Sequence, residues 1–175
     1  MNIHIAAYAE AGFEGGKGTV MNWLDTCRRL AQVTRERTLR YIEGLQEPEL
    51  RWLPRHDANP ILWILWHIGE YEEKLLWTYY NQAPIYGFGM SCKDCSIQDM
   101  PARDAILDYL ESTRQAFWAF LDQIEERQLH APVPSKIAAD TPLYEFIFQS
   151  IYHEMHHAGQ IAYIRRLMGK HVSSI

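Results

Sequence analysis

Residues 152–160 read YHEMHHAGQ and place three of the chain's eight histidines within five positions. On a helix His153 and His157 stand one turn apart on one face, a spacing at which two imidazoles can bind the same cation. They also interrupt a stripe of Phe146, Ser150, Ile161 and Ile164 that has the periodicity of a core-facing helix surface. His156 falls to the side of the pair and is not expected to be a ligand. A third ligand has to come from another segment, and His67 sits among Trp63, Ile64, Trp66, Ile68 and Tyr71 in the most apolar part of the chain. A buried imidazole without a partner costs about 1 to 3 kcal/mol. Three that converge are best explained by a divalent ion, which three neutral histidines hold at about 2.0 to 2.1 Å while a fourth position stays open. The alternative is a packed network in which each ring is separately hydrogen-bonded.

The same stretch spells HExxH, from His153 through Glu154 to His157, the pattern of zinc peptidases. Those enzymes take a third ligand downstream. Here AGQIAYIRRLMGKHVSSI offers no acidic residue, and its only histidine, His171, lies beyond the helix end, so peptidase chemistry is not expected. Glu154 to His157 is also Glu-x-x-His, half of a di-iron element, and Glu70 and Glu154 would have to turn inward to complete one. The CKDC of Cys92 and Cys95 lacks both a thioredoxin-like context and a second pair. Two free loop thiols are expected, one of which would close the metal's open position if the loop folds over the site.

Four segments with helical periodicity must position these groups. The first is predicted over about 19–43, with Trp23, Leu24, Cys27, Leu30, Ala31, Thr34, Thr38 and Ile42 as its inner stripe, and GLQEPEL ends it. The second begins at Asn59 as cap and Pro60 as first helical residue and reaches about Tyr80. A long crossover without periodicity follows. The third covers about 100–127, with Ile106, Leu107, Leu110, Thr113, Phe117, Phe120, Leu121 and Ile124 on one face. The fourth opens at Asp140 or Thr141, with Pro142 just inside, and ends near Met168 before Gly169. No segment alternates as a strand would. The expected fold is therefore all-α, a four-helix bundle with a long crossover loop between the second and third helices.

The chain has 175 residues, 47% of them hydrophobic, with six tryptophans, and is read as one folded domain. Residues 1–18 are read as an N-terminal arm with the composition of a flexible loop, 19–170 as the bundle and 171–175 as a tail. The GGKG of the arm lacks the spacing of a phosphate-binding loop. A net charge of −5 makes nucleic acid an improbable ligand. The N-terminus lacks the features of a secretory signal and no run is long enough for a membrane span, so a cytoplasmic location is expected.

WHIGEYEEKLL in the second helix and YHEMHHAGQIAYIRRL in the fourth, with its His-x-x-x-His followed by Gly-Gln, resemble the DinB-like (damage-inducible protein) superfamily, whose fold is also termed DinB/YfiT-like. The resemblance covers about residues 19–170. It implies that His67, His153 and His157 form a metal triad, with zinc or nickel as the usual occupant. It also implies relatives that include thiol-dependent S-transferases, an isomerase and the N-terminal domain of sulfoxide synthases. The expected function is a metal-dependent transferase of the thiol S-transferase type or a hydrolase, acting on a small molecule such as a low-molecular-weight thiol. Glu70 is a candidate base and Gln160 a candidate to orient a bound ligand, with Tyr71 nearby. The alternative is a non-catalytic metal-binding or stress-response protein. A homodimer is expected from the aromatic content.

Overall fold

The computed structural model describes residues 22–171, and the first 18 residues, read as an arm, lie outside that range. Helix α1, Trp23–Ile42, starts where the Asn22 side chain accepts from the backbone N–H of Asp25 at 2.8 Å. It buries Leu24, Cys27, Ala31, Thr34, Thr38 and Ile42 as its spacing predicts, together with Arg35, whereas Leu30 is left exposed. The segment expected only to end α1 forms a further short helix, α2, Glu47–Leu50, with Leu50 fully buried. Pro48 suits its first turn, where a missing N–H costs nothing.

Helix α3, Ile61–Tyr80, starts one residue later than predicted: Pro60 itself is the cap and the Asn59 side chain does not cap it. A left-handed Asn81, φ 53°, ends α3. Helix α4, Arg103–Leu121, is shorter than predicted at both ends, and a 3-10 turn over Glu126–Gln128 takes up part of the difference. Helix α5, Leu143–Leu167, is capped by Pro142 rather than by Asp140 or Thr141. It closes at Gly169, φ 74°, where the N–H groups of Gly169 and Lys170 bond back to Arg166 and Arg165.

The described residues are helical and contain no strand, only an isolated bridge between Pro132 and Pro142. Helix α3 packs against α4 and α5, and α5 also packs against α1. Two apolar clusters fill the bundle, one around Leu62, Leu65, Trp66, Leu110 and Ile161 and the other around Ala31, Phe117, Phe120, Ile147 and Ile151. Each of the four long helices contributes a charged side chain at mid-length: Arg35, Glu72, Arg114 and Glu154 bond to one another in the interior.

The crossover between α3 and α4 is irregular apart from a 3-10 turn over Cys92–Asp94. It lies close against the bundle because two glycines make room for one ring. A Cβ on Gly87 would stand 2.4 Å from the Tyr109 ring, and one on Gly69 would stand 2.9 Å from it. Tyr109 is thus enclosed between α3 and the crossover, and its hydroxyl donates to Glu73 at 2.5 Å.

Candidate metal centre

The packing of α3 against α5 brings His67, His153 and His157 together. His153 Nε2 lies 3.2 Å from His67 Nε2 and 3.1 Å from His157 Nε2, and the ligand atoms of all three fall within 4.8 Å of one another. Tetrahedral coordination at 2.0 to 2.1 Å separates ligand nitrogens by about 3.3 Å, which the separations of His153 from His67 and from His157 match. All three rings are half-buried. His153 and His157 stand at the edge of the buried face of α5, not at its centre, which Ile147, Ile151, Glu154 and Ala158 occupy instead.

Protons alone do not satisfy this arrangement. Gln160 Oε1 lies 2.8 Å from His157 Nδ1 and, as an oxygen, can only accept, so the proton sits on Nδ1 and Nε2 is bare. A proton on His153 Nε2 can then serve His157 or His67 but not both, and a proton on His67 leaves the His153 to His157 contact bare. One short N···N contact lacks a proton in every neutral arrangement, and a cation removes the conflict. Burial, with the neighbouring histidines, depresses His67 to about 4 and His153 to about 3, and burial also lowers His157. Neutral imidazole is the form that binds metal.

Each ring is held by a different neighbour. Trp63 stacks on His67 with centroids 4.8 Å apart, and Cys92 Sγ stands 3.7 Å from His67 Nδ1. Tyr71 stacks on His153 at 3.7 Å and 11°. Gln160 bridges His157 to the exposed His156, whose Nε2 lies 3.0 Å from Gln160 Nε2. The structure therefore places Gln160 behind a ligand ring, and His156 one step further out.

Glu70 lies on the loop side of α3. Its Oε1 accepts from Ser91 Oγ and its Oε2 from the Cys92 N–H, both at 2.7 Å, so both oxygens are engaged by the crossover. Cys92 is fully buried behind His67 and is not among the converging ligand atoms, so it does not close the site. Burial and the nearby Glu70 push its thiol up to about 12, which keeps it protonated. Cys95 stands apart and donates to the Ser96 carbonyl, and no disulfide forms among the described residues.

Glu154 settles the HExxH match. It is 1% exposed and accepts from Arg35 Nε at 2.7 Å and from Arg114 Nη2. A carboxylate bonded to two buried guanidiniums is not a free base beside a metal, and it is not a di-iron ligand either. The sequence reading did not find this network. Its signal was present in Arg35 beside Thr34 and Arg114 beside Thr113, charges adjoining polar members of otherwise apolar stripes.

A family model described as the DinB superfamily matches residues 30–161. The fold is also similar to the crystal structure of a conserved protein from Enterococcus faecalis, with a TM-score of 0.69 and 17% identity over 83% of this chain and 96% of that one. No curated protein matches the sequence.

Proposed function

The chain belongs to the DinB superfamily, and from that premise we propose that His67, His153 and His157 bind one divalent metal ion, zinc or nickel, at the centre of a small-molecule transferase or hydrolase site. The observation that carries this reading is the convergence of three Nε2 atoms at 3.1 and 3.2 Å with a bare nitrogen enforced from behind by Gln160. Such an ion supplies Lewis acidity, which makes a water or a thiol nucleophilic near neutral pH. The chain's own contribution is to present three neutral imidazoles in fixed orientations, held by Trp63, Tyr71, Gln160 and Cys92. A fourth position on a half-exposed triad is open to a substrate such as a low-molecular-weight thiol. A groove of about 830 Å³, bordered by Gln160, His156, Tyr163 and Leu167, adjoins the ring support and suits an apolar substrate body. Glu70 and Gln160 enter the proposal as groups that hold ligand rings and their surroundings.

A second reading, metal binding without turnover, is favoured by one observation: Glu70 and Glu154, the carboxylates nearest the ligands in sequence, are both committed to other partners. The test begins with elemental analysis of untagged protein purified without a metal column, beside His67→Ala and His157→Ala. Near-stoichiometric zinc or nickel in the wild type, lost in both variants, is the expected result. Absence of metal in the wild type, with none taken up on addition, overturns the proposal. Screening the loaded protein for thiol transfer and hydrolysis then separates the two readings, because only the first predicts turnover that the histidine variants lack.

A further inference from the structure

We propose that the Ser91–Cys92 turn of the crossover is a positioning element of the metal centre, clamped by Glu70 so that the Cys92 sulfur fixes the ring of His67. The inference rests on the metal-binding reading above. Trp63, His67 and Glu70 are spaced by four and three residues and so share one face of α3. The two outer members grip the backbone of Cys92 from both sides: Glu70 Oε2 accepts from its N–H at 2.7 Å, and Trp63 Nε1 donates to its carbonyl at 2.8 Å. Glu70 Oε1 takes the Ser91 hydroxyl as well, at 2.7 Å. With N–H and C=O both pinned, the side chain of Cys92 is directed at the member between them, and Sγ lies 3.7 Å from His67 Nδ1.

A loop anchored only for packing would not need its contact atom placed on an imidazole nitrogen. The sulfur accepts weakly from Nδ1–H, which leaves Nε2 of His67 free to face the other two ligands. Trp63 serves twice, since the ring that bonds the Cys92 carbonyl also stacks on His67 with a 21° interplanar angle. Glu70 thereby acts through the loop and is a positioning residue.

Cobalt(II) is the probe, titrated into metal-free wild type, Cys92→Ala, Cys92→Ser, Glu70→Gln and the control Cys95→Ala. Its visible absorption reports ligand geometry, and competition against a chelator reports affinity. Loss of an outer partner of a metal histidine typically weakens binding 10- to 100-fold. Cys92→Ala and Glu70→Gln should lose affinity about tenfold or more and shift the cobalt spectrum, whereas Cys95→Ala should match the wild type. Cys92→Ser, which keeps an acceptor, should recover part of the loss, a rescue that a purely packing role would not give. Ser91→Ala is a milder break in the same clamp, usable if Cys92→Ala does not fold, and should show the same spectral shift to a smaller extent. Wild-type affinity and spectrum in the Ala and Gln variants would overturn this inference and leave the metal site standing. Failure of the wild type to bind cobalt would overturn both.

Discussion

Glu154→Ala removes one of two carboxylates from a pocket that holds two guanidiniums. Arg35 and Arg114 have side chains 6% and 4% exposed, and the quartet they form with Glu72 and Glu154 is charge-balanced. Arg35 bonds Glu154 at 2.7 Å, Glu72 at 3.3 Å and the Leu110 carbonyl at 2.7 Å, and Thr113 bonds Glu72 at 3.1 Å. After the substitution two buried cations share the single carboxylate of Glu72. Breaking a buried pair in this way typically costs about 3 to 5 kcal/mol. For a domain of this size each kcal/mol lowers Tm by about 2 to 4 °C, so the expected loss is roughly 6 to 20 °C. Calorimetry on metal-free protein measures it without interference from the histidine site. The four-fold variant Arg35→Met, Glu72→Leu, Arg114→Met and Glu154→Leu should recover most of the loss, because the cost lies in the unpaired charge and not in missing volume. Glu154→Gln should retain metal at wild-type stoichiometry, unlike the histidine variants. A Tm for Glu154→Ala within 2 °C of the wild type would refute the reasoning, since it would mean that the two arginines do not depend on this carboxylate.

Metal removal should also show in stability: at one hundred times its Kd an ion that binds only the folded chain adds about 2.7 kcal/mol, so a chelator should lower Tm and added zinc or nickel restore it. The metal-free protein should lose stability as pH falls below about 6.5, because His67 and His153 titrate near 6.5 when unfolded but near about 4 and about 3 when folded. Between those values the unfolded chain binds more protons, so acid favours unfolding; urea melts from pH 7.5 to 4.5 should show a steeper decline in the wild type than in a His67→Ala, His153→Ala variant, and equal slopes would contradict the depressed values. Gly87→Ala should destabilise the crossover by about 1 to 3 kcal/mol, the usual cost of overpacking, since its Cβ would meet the Tyr109 ring at 2.4 Å. Chemical denaturation checks this, and a neutral effect would show that the ring yields.

The four long helices, the irregular crossover and the pairing of His153 with His157 were legible, unlike the short α2, because each rests on local spacing, and spacing of three and four residues fixes which side chains share a helix face. His67 could be read from its apolar neighbours. What local spacing does not carry is the direction in which that face points. His153 and Glu154 are adjacent, about 100° apart around α5, and either could have been the inner group. Their roles follow from what α1 and α4 present there, Arg35 and Arg114, which lie 119 and 40 residues away. The same limit governs the acidic run of α3: Glu70 anchors the crossover, Glu72 enters the buried network and Glu73 accepts from Tyr109. Three carboxylates within four positions thus serve three environments, set by partners from the crossover, from α1 and α4, and from α4 together with Gly87 of the crossover. A motif such as HExxH encodes the angle between its members and nothing about the neighbours. In this fold the buried arginines turn its glutamate into a strut while the same turn of helix leaves its histidines at the edge, facing His67. The chemistry of the site therefore depends on residues outside the motif, and the arginine variants are as diagnostic of it as the histidine ones.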